Sequence, residues 1–122
     1  TEVLGRYVRA WEQADVSGLV ALLSDDATLS MPPMAEWFRG AAAIGASIGA
    51  MVLTAEARGK FRLVETRANG LPAFMAYQRD AESGAFRPLA LHVLELAGDR
   101  ISSITAFIDP RLAEKFGLPA SL

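Results

Sequence analysis

The sequence predicts an α+β fold in which a cone-shaped, curved antiparallel sheet wraps around helices. Two observations lead to it. Apolar residues at helical spacing gather in the first half of the chain, and strand-length apolar runs separated by tight-turn dipeptides fill the second. A third observation sets the scale. The 122 residues are 52% hydrophobic and 21% charged, so the chain can bury a core, and residues 1–122 are expected to form a single domain.

The elements follow in order. Leu4, Tyr7, Val8 and Trp11 fall on one face of a helix running from about Glu2 to Ala14. Asp15 can cap a second, short helix whose apolar side is Val16, Leu19, Val20, Leu22 and Leu23. Asp25-Asp26 is read as its end, and Ala27 to Met31 as a strand stopped by Pro32-Pro33. Met34 to Gly40 reads as an irregular aromatic segment. A third helix carries Ile44, Ile48, Met51 and Val52 along one stripe. Gly45 and Gly49 each weaken it by roughly 1 kcal/mol, so packing must hold it. Asn69-Gly70 between two apolar runs signals a two-residue type I′ hairpin joining strands near Lys60–Ala68 and Leu71–Arg79. Phe86 to Ala97 and Arg100 to Asp109 form the last two strands, joined at Gly98-Asp99.

Composition excludes several functions. Lys+Arg number 12 and Asp+Glu 14, a net charge of −2, which argues against direct nucleic-acid binding, because phosphate neutralisation needs clustered cations. There is no cysteine, and His92 is the one histidine, so thiolate sites and multi-histidine metal centres are excluded. Asp25-Asp26 has no third ligand near in sequence, and no metal site is expected. No Rossmann fingerprint, phosphate-cradling loop or nucleophile elbow occurs, and no cofactor is expected. No run approaches the ~20 apolar residues of a membrane span, and no signal peptide is visible, so a cytoplasmic location is the default. The chain begins at Thr1 rather than Met, which suggests an excised fragment or a processed start.

His92 is the first candidate for chemistry. With a regular two-residue turn at Gly98-Asp99, His92 faces Thr105 and Pro88 faces Asp109, so His92, Thr105 and Asp109 share one sheet face. A histidine and a carboxylate on one wall of an apolar cone could do acid–base work. The preferred alternative is a buried histidine hydrogen-bonded for structure, and a one-residue bulge would send it to the other face. Asp109 before Pro110 likewise reads as a pocket-mouth base or, preferably, as a strand-ending turn. Glu65 and Arg67 alternate beside Phe61, Leu63 and Phe74 and form either an inward water-activating pair or, preferably, part of a dimer surface. Candidate ligand-binding walls are Tyr7, Trp11, Phe74, Tyr77, Thr105 and Phe107. Met31, Met34, Trp37 and Phe38 beside the Pro-Pro break either cover a cavity mouth, dock on a partner or simply pack.

The chain resembles the nuclear transport factor two-like superfamily, which includes ketosteroid isomerase, scytalone dehydratase and the SnoaL-like polyketide cyclases. More narrowly, it is similar to the SnoaL-like domain at the C-terminus of certain bacterial extracytoplasmic-function (ECF) sigma factors. Arg6 to Glu12, Met31-Pro32-Pro33-Met34, Trp37-Phe38-Arg39-Gly40, Asn69-Gly70-Leu71-Pro72-Ala73, Ala90 to Leu94 and Phe116-Gly117-Leu118-Pro119 carry the resemblance. It implies an accessory domain that modulates transcription initiation through contacts with other sigma-factor regions or RNA polymerase, with a cavity that either takes a small apolar ligand or is vestigial. It also admits a cofactor-free isomerase, cyclase or hydrolase with His92 or Asp109 as acid–base group and Thr105 or Tyr77 as its hydrogen-bond partner. A dimerisation module paired through the sheet is the third reading. The sigma regions that bind core polymerase and promoter are absent from this chain, so any link to transcription runs through protein partners.

Overall fold

The computed structural model describes residues 2–54 and 56–122. The elements are α1 (Glu2–Glu12), α2 (Val16–Val20), β1 (Leu23–Ser30), β2 (Trp37–Arg39), α3 (Ala41–Met51), β3 (Phe61–Ala68), β4 (Leu71–Arg79), β5 (Phe86–Ala97), β6 (Arg100–Phe107) and α4 (Leu112–Lys115). The strands form one sheet in the order β2-β1-β6-β5-β4-β3. Helices packed on a mixed sheet make this an α+β fold.

Three expectations are corrected. The sheet is not wholly antiparallel, because β1 runs parallel to β6. The side chain of Arg100 fixes their shared end, donating to the carbonyls of Ala21 at 3.2 Å and Leu23 at 3.4 Å. Asp25-Asp26 does not end a helix but lies inside β1, where the pairing with β6 shifts register between Leu23 and Thr28 and both carboxylates reach solvent. Leu23 therefore belongs to the strand, not to α2. The segment read as irregular also contains the short edge strand β2, with Trp37 opposite Ser30.

The remaining elements follow their local chemistry. Leu4, Tyr7, Ala10 and Trp11 are the buried stripe of α1, and the Asp15 carboxylate accepts from the Gly18 N–H at 3.0 Å to cap α2. The β3–β4 turn has positive φ at Asn69 (53°) and Gly70 (78°), as a type I′ turn demands. Gly45 on α3 lies so close to α2 that an added Cβ would overlap Val20 Cγ2. A glycine that costs helix propensity thus permits helix contact.

The sheet has two covered faces. Phe61, Leu63, Phe74, Ala76, Leu94 and Ile104 point to the face covered by α1, α2 and α3, where the main core lies. Ala73, Met75, Tyr77 and Leu91 point to the other face, where Leu112, Ala113, Phe116 and Leu118 of α4 and the tail pack on them. Among the described residues no helix is long and apolar enough to cross a membrane.

Candidate functional site

A bulge in the last hairpin decides where His92 points. Leu96 is opposite Ile101 as expected, but Glu95 is opposite Ser103, which leaves Ser102 as an extra residue on β6. Every later pair moves by one: His92 faces Ala106, and Val93 faces Thr105. Because side chains alternate, His92 goes to the helix face with Leu94 and Phe74, while Thr105 and Phe107 go to the opposite face. The expected wall of His92, Thr105 and Asp109 therefore does not exist.

His92 is 3% exposed and sits among aromatic rings. Its centroid lies 4.7 Å from that of Trp11 and 6.0 Å from that of Tyr7. Phe61 stacks edge-on against Trp11 at 5.6 Å, and Phe74 lies 5.7 Å from Tyr7. A hydrogen bond joins the Tyr7 hydroxyl to His92 Nδ1 at 2.8 Å, its proton on either atom according to the imidazole tautomer. Burial pulls the His92 pKa from 6.5 down to about 4, so the ring is neutral at pH 7. Burial also pushes the Tyr7 hydroxyl far above its usual value, with the nearby Trp11 indole pulling the other way. That indole N–H lies near the hydroxyl but meets no partner at hydrogen-bond geometry. The result is a neutral donor–acceptor pair beside a spare donor, closed in by rings.

Asp109 is elsewhere. It lies past the end of β6, where its carboxylate accepts from the Arg111 backbone N–H at 3.0 Å and from Arg111 Nε and Nη2 at 2.9 and 3.0 Å. The Arg111 side chain holds its pKa below the ordinary carboxylate value. It neither touches His92 nor shares a face with it.

The ligand-wall candidates divide among several places. Tyr7, Trp11 and Phe74 line the helix-side core, Met31 is buried in it, and Phe38 packs at its margin. Tyr77 is on the other face, donating from its hydroxyl to the Pro119 carbonyl at 2.6 Å. Met34 is 44% and Trp37 60% exposed, with the Arg39 guanidinium 6.0 Å from the Trp37 ring centroid. Glu65 and Arg67 lie on the helix-facing side of β3 but beyond the helices, exposed; Arg67 donates to the Gly70 carbonyl at 2.8 Å.

Thr105 and Phe107 line a cavity of about 400 Å³ between the second sheet face and α4. Leu91, Val93, Leu112 and Phe116 supply more of its lining, and Glu95 and Ser103 its polar end. Thr105 and Phe107 are candidates from the sequence; Leu91, Val93, Glu95 and Ser103 are lining residues that the sequence did not single out as a site. Their signal was the alternation Leu91-Val93-Glu95 on β5 and Ser103-Thr105-Phe107 on β6, which assembles one face only after the bulge brings the two rows into register.

Comparison with known proteins adds three findings. A family model for a SnoaL-like domain matches residues 4–104. The chain is 41% identical over 121 residues to the ECF RNA polymerase sigma factor SigG of Mycobacterium tuberculosis, covering 99% of this chain and 32% of that protein. It therefore spans about a third of the relative's length, and the likeness is to the C-terminal region. Among solved structures, a candidate ketosteroid isomerase from Kribbella flavida superposes with a TM-score of 0.65 at 18% identity, covering 88% of this chain and 76% of that one. An epoxide hydrolase of M. tuberculosis does so with a TM-score of 0.61 at 17% identity, covering 88% and 80%. At such identities these structures share the fold and nothing more is carried over from them.

Proposed function

The chain belongs to the SnoaL-like domain family, and from that premise we propose that it serves as an accessory, regulatory domain of an ECF sigma factor. It would act through contacts with other regions of that protein or with RNA polymerase, in the cytoplasm, and would take a small hydrophobic ligand. Residues 1–122 would form one domain whose sheet curves into a cone around the helices, with pairing of two copies through the sheet as an available assembly. The observation that carries this reading is the extent of the likeness to the sigma factor, which runs through the helices, the sheet and the tail alike. The geometry leans the same way, since His92 and Asp109 do not converge on a common volume. The net charge of −2 favours protein partners over direct DNA contact.

Two measurements test it. The coding sequence directly before Thr1 should encode sigma regions in the same frame. Deleting the domain from that full-length protein should change multi-round transcription from its promoter several-fold. Unchanged transcription, or a start codon at this point with no sigma regions before it, would sink the proposal.

One observation favours a second reading, a cofactor-free isomerase, cyclase or hydrolase. Tyr7 and His92 are a hydrogen-bonded pair in an apolar surround, with the unpartnered Trp11 indole beside them. A neutral imidazole could take a proton there while the phenol and indole hydrogen-bond a developing oxyanion. Opening of the aromatic cluster must then admit substrate. Turnover of small hydrophobic epoxides or β,γ-unsaturated ketones that falls at least a hundredfold in Tyr7→Phe and His92→Gln would support it. No turnover by the unmodified protein, or turnover indifferent to both substitutions, would remove it.

A further inference from the structure

We propose that the cavity between the second sheet face and α4 is a binding site for a small hydrophobic amine, with Glu95 as its ion partner. This deepens the reading that the domain takes a small ligand, and does not depend on the sigma-factor role. It places that ligand on the face opposite the Tyr7–His92 pair.

The cavity measures about 400 Å³, within the range of small-molecule sites. Its floor is Leu91 and Val93 with Phe107, and Leu112 of α4 and Phe116 just beyond that helix form a wall. That wall is tied down past the helix. The Tyr77 hydroxyl holds the Pro119 carbonyl at 2.6 Å, and the backbone of Leu122 bonds that of Phe86 at 2.9 and 3.3 Å. The cavity is thus bounded by fixed elements of the fold.

Charge decides the class of ligand. The bulge at Ser102 places Ser103 directly opposite Glu95, and the Ser103 hydroxyl donates to Glu95 Oε2 at 2.9 Å. One carboxylate oxygen is oriented at the polar end of an apolar floor. Among the described residues no cationic side chain forms an ion pair with Glu95. An anion would be repelled there. A neutral apolar molecule would cover the floor and partly desolvate the carboxylate without compensation. An ammonium joined to a compact apolar body satisfies both, with the aromatic rings of Phe107 and Phe116 available to its body or its charge.

The test is a nuclear magnetic resonance titration of the whole chain with 2-phenylethylammonium, 2-phenylethanol and phenylacetate, following amide shifts of Val93, Thr105 and Phe116. The amine should bind roughly tenfold tighter than the alcohol, as one charge-assisted contact warrants, and phenylacetate should bind weakest. Glu95→Gln, at an exposed position that leaves the core intact, should make amine and alcohol equal. Equal binding of amine and alcohol by the unmodified protein, or an amine preference that survives Glu95→Gln, would overturn this inference while leaving a neutral-ligand site standing. If no probe shifts these residues, the small-ligand reading falls with it. If instead their signals change with protein concentration alone, the face is an interface between copies, and the amine site is equally refuted.

Discussion

His92 and Tyr7 show how one buried pair makes stability depend on pH. The folded state holds the His92 pKa near 4, against 6.5 for the free side chain. Between those values the unfolded chain binds more protons than the folded one, so stability rises with pH across that interval. The contribution is fully present above pH 6.5 and is lost as pH falls through 6.5 towards 4, amounting to about 3 kcal/mol at most. Urea unfolding at pH 7.5 and pH 4.5 should show it, and His92→Gln should flatten most of the difference. An equal drop in the variant would assign the acid sensitivity to other groups. That His92 mattered was readable from its being the one histidine. Its partner was not, because Tyr7 lies 85 positions away and nothing local points from one to the other.

At the scale of elements, α3 separates two glycines that look alike in the sequence. Gly45 faces Val20, and a Cβ there would overlap the valine methyl; Gly49 faces Val16, whose nearest methyl would sit 3.5 Å from the new atom, an ordinary contact. Gly49→Ala should therefore stabilise the protein by up to about 1 kcal/mol through helix propensity. Gly45→Ala gains the same propensity but overpacks the α2–α3 contact, at about 1–3 kcal/mol, and should be net destabilising. Denaturant midpoints of the two variants moving in the same direction would disprove the packing argument. The strands β4 and β5 were readable to the residue, because alternation and turn dipeptides are local signals. The edge strand β2 was not, since three residues carry no period and exist as a strand only by pairing with Thr28 to Ser30. Asp25 and Asp26 misled because two adjacent carboxylates usually end an element; here an irregular stretch of β1 leaves both in water.

For the molecule as a whole, the tail is the element that completes the second face. Leu112, Phe116 and Leu118 dock on this chain's own sheet. Tyr77→Phe removes the hydroxyl that holds the Pro119 carbonyl and should cost about 1 kcal/mol. Hydrogen exchange should quicken at Leu122 and Phe86, which bond each other, while amides in the β3–β4 hairpin keep their rates. Faster exchange throughout the sheet would mean that the hydroxyl supports the whole fold and not the tail. The α+β class, the short capped second helix, the hairpin turns and the apolar stripe of α1 were determined by the sequence itself, because spacing, caps and turn residues act over a few neighbours. The parallel union of β1 with β6, the Ser102 bulge that divides His92 from Thr105, and the cavity walled on one side by α4 were decided by the tertiary structure. Strand partners, register and face covering depend on contacts between residues far apart in the chain, and one extra residue in a strand reverses the face of every side chain beyond it.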